Sequence, residues 1–395
     1  MQNYETEFLP PPRLLLGAGP SNVHPRVLRA MTASLLGHMD PDFLQVLDDV
    51  RAMLRVVFQT ESPMTWPVSG TGTAGMEAAV VNVVERGDTV IVATNGYFGD
   101  RLCDIASRAG ANVVIVPHAP GLPVDPERVR EELKRHGRVK AVAAIHAETS
   151  TGVLSPIPEL AAAAHDAGAL LIVDAVTSLG GVELRVDDWG IDVCYAGTQK
   201  CLACPPGLAP VTLSERAMSV LESRTTQVQS FYLDMTQLRS YFQLRAYHHT
   251  APISNIYGLR EGLRLLMEEG IEQSWARHMG VSLALHAGVE AMGLDLFVPG
   301  FSNRLPSLTT IRVPDGLDAT LARKHLLDHH NIEVSGGLGE TANTVWRVGL
   351  MGSNATATNV FTFLSALEEA LMAQDFEVPI GASLAAAQRS LLNGD

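Results

Sequence analysis

Apolar and polar positions change period along the chain, and the changes mark out its elements. From about residue 60 to about residue 215, stretches with apolar residues at helical spacing alternate with short apolar runs. The spacing predicts helices over 73–85, 100–109, 126–136 and 157–167, and strands over 89–94, 112–116, 139–145, 169–174, 192–196 and 208–213. Runs such as AVAAIH and LLIVDA are apolar on both faces, as parallel strands covered by helices on each side should be. Polar residues gather at their C-terminal ends, where such sheets bind ligands. This is an α/β doubly wound pattern.

A less regular middle (TTQVQSFYLDMTQLRSYFQLRAYHHT) follows, and then a long helical pattern that starts near Pro252 and runs through YGLREGLRLLMEEG and SWARHMGVSLALHAGVEAMG. From about Leu305 the order becomes β-α-β-β-α, carried by TTIRV, ATLARKHLLDHH, IEVSGG, TVWRVGL and NVFTFLSALEEALMAQ. The expected organisation is an N-terminal arm over 1–20, a large domain over 21–275 and a small C-terminal α+β domain over 276–395.

Composition narrows the function classes. A chain of 395 residues, 46% hydrophobic, with mean hydropathy +0.12, has ample apolar material for a soluble core. A net charge of −14, with basic residues scattered along the chain, argues against a nucleic-acid or anionic-membrane surface. The longest apolar stretch, LAAAAHDAGALLIVDAV, is interrupted by His165 and Asp166, which excludes a membrane span. The opening MQNYETEFLPPPRLLLGAGP is acidic and proline-broken, unlike a signal or transit peptide, and Leu392–Asp395 is not a peroxisomal tripeptide. The expected compartment is the cytoplasm. Four cysteines at 103, 194, 201 and 204 make neither a disulfide framework nor a complete metal site.

Two apolar runs end on chemistry. GALLIVD ends on Asp174 and GIDVCYAGTQK on Lys200, which sets an acid and an amine on neighbouring strand ends. Singly, a strand-end lysine is a solvated residue and a strand-end aspartate a helix cap. Together they suit pyridoxal 5′-phosphate: the amine binds the cofactor aldehyde, and the carboxylate keeps the pyridine nitrogen protonated so that the ring acts as an electron sink. A third element supports the pairing. Ser69 to Gly75 form a small-residue loop running into an apolar helix, an anion site in which backbone N–H groups, Thr71 and Thr73 suit a phosphate. Gly70, Gly72 and Gly75 also match G-x-G-x-x-G, but the following strand TVIVAT runs on to Asn95 where a dinucleotide fold would place an acid.

The order GAGPSNVHPRVLRAM, SGTGTAGMEAA, HAETSTGV, VDAVTSLGG, GTQKCLACPPGLAP, YHHTAPISNIYGLREGL and GGLGETANTVWRVGLMG resembles the class V aminotransferases of fold type I, and within them the alanine–glyoxylate and serine–pyruvate group. The resemblance runs from about residue 13 to about residue 375. It implies a large domain with a mostly parallel seven-stranded sheet sandwiched by helices, plus the smaller C-terminal α+β domain. It implies a ping-pong transfer of an amino group from alanine or serine to glyoxylate or pyruvate. By the same likeness Lys200 is the Schiff-base lysine and proton shuttle, and Asp174 the pyridine-nitrogen partner. Thr71, Gly72, Thr73 and Gln199 serve the phosphate, Thr149 lies near the phenolic oxygen, and Phe98 lies over the ring. Arg347 holds the substrate carboxylate, with Gly19 of GAGP beside it. The likeness further implies a homodimer in which Tyr247 and Thr250 reach the neighbouring subunit's phosphate.

Some positions depart from the better-known members: GAGP for GPGP, Phe98 for tryptophan, Thr73 for histidine and Thr149 for serine. A phenyl ring still stacks and a threonine still donates, so the chemistry is kept. Small neutral donors are expected, because no second cation for a side-chain carboxylate stands out. The related ureidoglycine–glyoxylate aminotransferases carry glutamine and asparagine where this chain has His38 and Tyr247. Pyridoxamine–pyruvate aminotransferases act on free pyridoxamine, against which the complete phosphate loop argues. A cysteine desulfurase needs a cysteine on a mobile loop, which none of the four occupies, and a catalytically silent cofactor-binding protein would not need Lys200, Asp174 and Arg347 together. No metal site is expected, since no carboxylate or third histidine sits at ligand spacing from His248 and His249.

Overall fold

In a computed structural model, residue 7 and residues 9–393 are described; residues 1–6 and 8 of the N-terminal arm, and 394 and 395 of the C-terminal tail, lie outside the described residues. Seven strands form the main sheet: β1 (Thr65–Ser69), β2 (Thr89–Thr94), β3 (Asn112–Pro117), β4 (Ala141–Ile145), β5 (Leu170–Asp174), β6 (Val193–Tyr195) and β7 (Leu208–Leu213). Their order is β1-β7-β6-β5-β4-β2-β3. All pairings are parallel except those of β7, which runs opposite to both neighbours. Five of these strands are apolar and fully buried or nearly so, the signature of a sheet covered on both faces. In register, Ile145 sits beside Asp174, and Asp174 beside Tyr195, so three strand ends come level at one edge.

Local chemistry explains the boundaries of the intervening helices. The helix Pro126–His136, for example, opens on the Asp125 carboxylate accepting the Glu127 N–H at 2.9 Å, has proline in its first turn, and closes on Lys134, Arg135 and His136 before Gly137. Each choice suits the orphan N–H groups at one end and the carbonyls at the other. The expected helices and strands between 73 and 213 are all present within a few residues. The patterns did not bring out β1, the helices Pro41–Phe58, Met235–Leu244 and Ala382–Asn393, or the reversal of β7.

The long helical pattern after Pro252 is two helices, Ile253–Glu269 and Ile271–Ala291, broken at Gly270, whose φ of +91° serves both ends. Counting only the helices that matter below, α1 is Gly72–Val83, α2 Tyr97–Arg108, α3 Ile253–Glu269, α4 Ile271–Ala291, α5 Ala319–His330 and α6 Ala357–Met372. A second apolar cluster gathers Leu285 of α4, Leu326 of α5, Phe363 of α6 and Trp346 around an antiparallel sheet. That sheet is β8 (Leu308–Arg312), β10 (Val345–Gly349) and β9 (Ser335–Gly336), in the order β8-β10-β9. Leu14–Leu15 pairs in parallel with Ile332–Glu333, and Leu16 is buried in this cluster. The chain then turns toward the main sheet, where the Ser21 N–H donates to the Gln199 carbonyl at 2.9 Å. Among the described residues no helix is long and apolar enough to cross a membrane.

Candidate active site

At the C-terminal edge of the parallel strands lies a cavity of about 210 Å³. Eight of the twelve residues singled out from sequence line it: Thr71, Gly72, Thr73, Phe98, Thr149, Asp174, Gln199 and Lys200. They come from five separate strand exits, so only the parallel sheet brings them together.

Lys200 is 8% exposed, and its Nζ donates to the Ala18 carbonyl. Gly19 makes this approach possible. Its φ is +94°, and a Cβ there would fall 2.6 Å from Lys200 Cδ, inside any tolerable contact, so only glycine admits the lysine. Burial, then the charge of Arg347, pulls the Lys200 amine down to about 8, against weaker opposition from Asp174. Asp174, at the end of β5, is pushed up to about 7 by burial. Its Oδ1 accepts the Val176 N–H at 2.8 Å. The Tyr195 phenol beside it draws the carboxyl the other way, although its buried hydroxyl finds no partner at hydrogen-bonding distance. Burial thus draws both groups toward the pH range in which they exchange protons, as acid–base work near pH 7 requires.

Opposite this pair, α1 begins at Thr71 with no side-chain cap. Its first N–H groups have no carbonyl a turn behind them and are left for a ligand, at the positive end of a 12-residue helix. The buried Gln199 Oε1 likewise has no partner. Arg101 was not anticipated. Its guanidinium lies over the rings of Tyr97 and Phe98, at 5.3 and 5.0 Å, and donates from Nη1 to Thr73 Oγ1 at 3.2 Å. It lines the cavity and makes no ion pair among the described residues. Arg101 thus adds to the cavity a cation that the sequence pattern did not bring out, at the helix start that carries Thr73. Arg101 stands three residues from Phe98 and four from Tyr97 on α2, a spacing that already placed the three side chains on one helix face.

Glu148 was also missed. Fully buried, it accepts from Phe98 N–H at 3.1 Å, Gly99 N–H at 3.2 Å, and Ser150 N–H and Oγ at 3.0 and 2.7 Å. It thereby ties the first turn of α2, and with it the Phe98 ring, to the wall that carries Thr149. The helix comes so close that a Cβ at Gly96 would lie 2.6 Å from Glu148 Cγ. The one acid in HAETSTGV, directly after a buried strand, was the available signal. Arg347, in the middle of β10, is 6% exposed. Its Nε donates to the Gly336 carbonyl at 2.7 Å and its Nη1 to the Thr149 carbonyl at 3.0 Å. It does not line the 210 Å³ cavity; it stands behind Thr149 and opens on a groove with Ser335 and Leu338. Burial draws it down to about 10, and the Glu148 charge resists.

Tyr247 and Thr250 are not brought to the cavity of their own chain. Both are exposed, Tyr247 at 67%. Between them His249 Nε2 is 2.8 Å from Ser69 Oγ at the base of the glycine loop, and His248 Nδ1 is 2.8 Å from His249 Nδ1. Burial, His248 and His38 draw His249 down to about 4, so His249 packs as a neutral ring.

A buried amine, a buried acid, an anion-binding helix start and a fixed guanidinium constitute equipment for amine–carbonyl chemistry on small anionic molecules. Comparison with known proteins agrees. The model of the family "Aminotransferase class-V" matches residues 13–357. The alanine–glyoxylate aminotransferase of Callithrix jacchus is 43% identical over 91% of this chain and 88% of its own length. The structure of an alanine–glyoxylate aminotransferase from Nostoc sp. superposes with a TM-score of 0.91 at 48% identity, over 94% of this chain and 98% of that one. A ureidoglycine–glyoxylate aminotransferase from Bacillus subtilis gives a TM-score of 0.95 at 39% identity, over 98% and 100%.

Proposed function

Since the chain belongs to the class-V aminotransferases, which are pyridoxal-phosphate enzymes, we propose that it transfers the amino group of alanine or serine to glyoxylate or pyruvate, in two half-reactions, as a homodimer. The residues present fit the cofactor. The uncapped start of α1 suits its phosphate, the orphaned Gln199 Oε1 and the free hydroxyl of Thr71 lie in the same cavity, and Asp174 and Lys200 supply the acid and the amine. Arg101, beside Thr73, adds a positive charge at the phosphate side. When bound, pyridoxal phosphate supplies an aldehyde for amine exchange and a ring that takes up the electron pair left when the Cα–H bond breaks.

The protein's own part is positional and protonic. Lys200 Nζ, with its pKa near 8, takes the proton from the substrate Cα and returns it. Asp174 holds a negative charge where a ring nitrogen carries a proton. Arg347, fixed by two backbone carbonyls, grips the α-carboxylate and so sets which bond at Cα is presented. Glu148 keeps the Phe98 ring in place as a lid on the cofactor face.

The observation that carries the reading is that the buried Lys200 amine and Asp174 carboxyl share one cavity with the uncapped start of α1. A second reading, ureidoglycine as donor, draws on the closer superposition with the Bacillus subtilis enzyme. Against it, His38 and Tyr247 pack together with ring centres 5.4 Å apart, and neither offers the amide suited to a ureido group. The deciding test mixes holoenzyme with one amino donor at a time and follows the absorbance of the lysine-bound cofactor as it gives way to the aminated form. Fast conversion with alanine or serine and little with aspartate is expected. Faster conversion with ureidoglycine would move the assignment to the second reading, and preference for aspartate would refute both.

A further inference from the structure

Away from the cavity, α5 ends in the run His325-Leu326-Leu327-Asp328-His329-His330, and α6 packs alongside it. Glu369, near the end of α6, meets two of these histidines. His325 Nε2 lies 3.1 Å from Glu369 Oε1, and His330 Nε2 lies 3.1 Å from Oε2. The three donor atoms fall within 4.8 Å of one another. His330 Nε2 is buried yet closes no hydrogen bond in spite of that distance, because the carboxylate is not aligned to receive a ring proton. An imidazole nitrogen that is close to an acid, shut off from solvent and not bonded to it has a lone pair to offer. His329 packs against His325 with ring centres 4.4 Å apart and the planes tilted by 35°.

We propose that His325, His330 and Glu369 form a binding site for a divalent zinc-type cation that ties α5 to α6. Two imidazole nitrogens and one carboxylate oxygen are a borderline set, suited to zinc, cobalt or nickel and unsuited to the oxygen cages of calcium and magnesium. A tetrahedral zinc with bonds of about 2.0–2.1 Å has ligand–ligand edges of about 3.4 Å. Each imidazole nitrogen already stands near that length from one oxygen of Glu369, and rotation of the carboxylate and of one imidazole brings the three donors round a common centre. The fourth position is left to water. None of the three residues lines the catalytic cavity, so the ion is structural. It pins the last turn of α5 just before Ile332–Glu333 and Ser335–Gly336, the segment whose Gly336 carbonyl holds Arg347. The expectation of no metal site came from spacing along the chain, which leaves out a ligand contributed by a separate helix.

The test is titration of untagged, chelator-washed holoenzyme with zinc chloride by calorimetry, with cobalt chloride in parallel for the visible bands of a tetrahedral site. One zinc per chain is expected, with a rise in Tm on saturation. Glu369→Gln, which keeps shape and removes the charged ligand, and the double variant His325→Ala/His330→Ala should each weaken zinc at least about tenfold and abolish the cobalt bands. Both variants should keep the lysine-bound cofactor spectrum and wild-type transamination. No saturable zinc site in the wild type, or an unchanged site in both variants, overturns the proposal; neither result bears on the transaminase reading.

Discussion

Lys200 should titrate near pH 8 rather than above 10 once the cofactor is removed. Burial beside Arg347 lowers its amine from 10.5 to about 8, which is about 3 kcal/mol against the charged form. At pH 7 that leaves about 9% of the amine neutral, against about 0.03% for an ordinary lysine, a gain of roughly 300-fold in the nucleophilic form. The chain's other lysines are Lys134, Lys140 and Lys324, so each can be followed separately. Apoprotein labelled with trace isotopic acetic anhydride across pH 6–11 and digested for mass spectrometry reports the titration of each amine. Lys200 should reach half-reactivity near pH 8. Arg347→Gln should raise the Lys200 midpoint, because the variant removes a positive charge that disfavours the ammonium form. A Lys200 midpoint above 10 would refute the burial argument, and a midpoint unmoved or lowered in Arg347→Gln would refute the charge argument.

Other outcomes follow from the same geometry. Arg347→Lys loses the planar fork, so kcat/KM for the amino donor should fall about 10–100-fold while the cofactor spectrum stays; unchanged kcat/KM would remove Arg347 from the site. Arg101→Ala should weaken cofactor binding to apoprotein about 10–100-fold, the worth of one charge-assisted hydrogen bond, as read by absorbance titration, and an unchanged Kd would show that Arg101 does not face the phosphate. In the apoprotein, Lys200→Met should raise stability by about 1–3 kcal/mol at pH 7. The depressed lysine binds fewer protons folded than unfolded between about pH 8 and 10.5, so wild-type stability climbs through that window and the difference should shrink there; a denaturation midpoint difference that is constant with pH would contradict this. Finally, mixing Lys200→Ala with Tyr247→Ala/Thr250→Ala should restore about a quarter of wild-type activity, from hybrids that make half the dimers and carry one intact site each. No recovery under proven subunit exchange would mean that these residues act within their own chain or not at all.

The parallel strands and their helices were legible because buried strands such as AVAAI and LLIVD carry an uninterrupted apolar run, and the glycine loop because small residues before a helix have one use. Asp174 and Lys200 were legible as a pair since each closes such a run. What the pattern hid is through-space. β7 looks like its neighbours, and nothing in LAPVTL tells that it runs the other way between β1 and β6. Glu148 reads as a loop acid until α2 is seen to rest on it. Arg101 reads as a surface arginine until Thr73, from another strand exit, is found beneath it. Arg347 was found through the resemblance, and geometry adds that it acts from behind Thr149 rather than from the cavity wall.

The four buried charges explain why this site waits for its ligands. Burial raises Asp174 and Glu148 and lowers Lys200 and Arg347, so each ionised form is disfavoured where it stands. Opposite charges lie near enough to offset part of that cost, as Glu148 does for Arg347 and Asp174 for Lys200. The cations Arg101 and Arg347 keep no carboxylate of their own at hydrogen-bonding distance. An anionic phosphate beside Arg101 and a substrate carboxylate on Arg347 would complete both pairs in a dry space, where such pairing is strong. The same burial that disfavours each lone charge would therefore strengthen its pairing with a small anion, and the amine and acid between them would serve proton transfer.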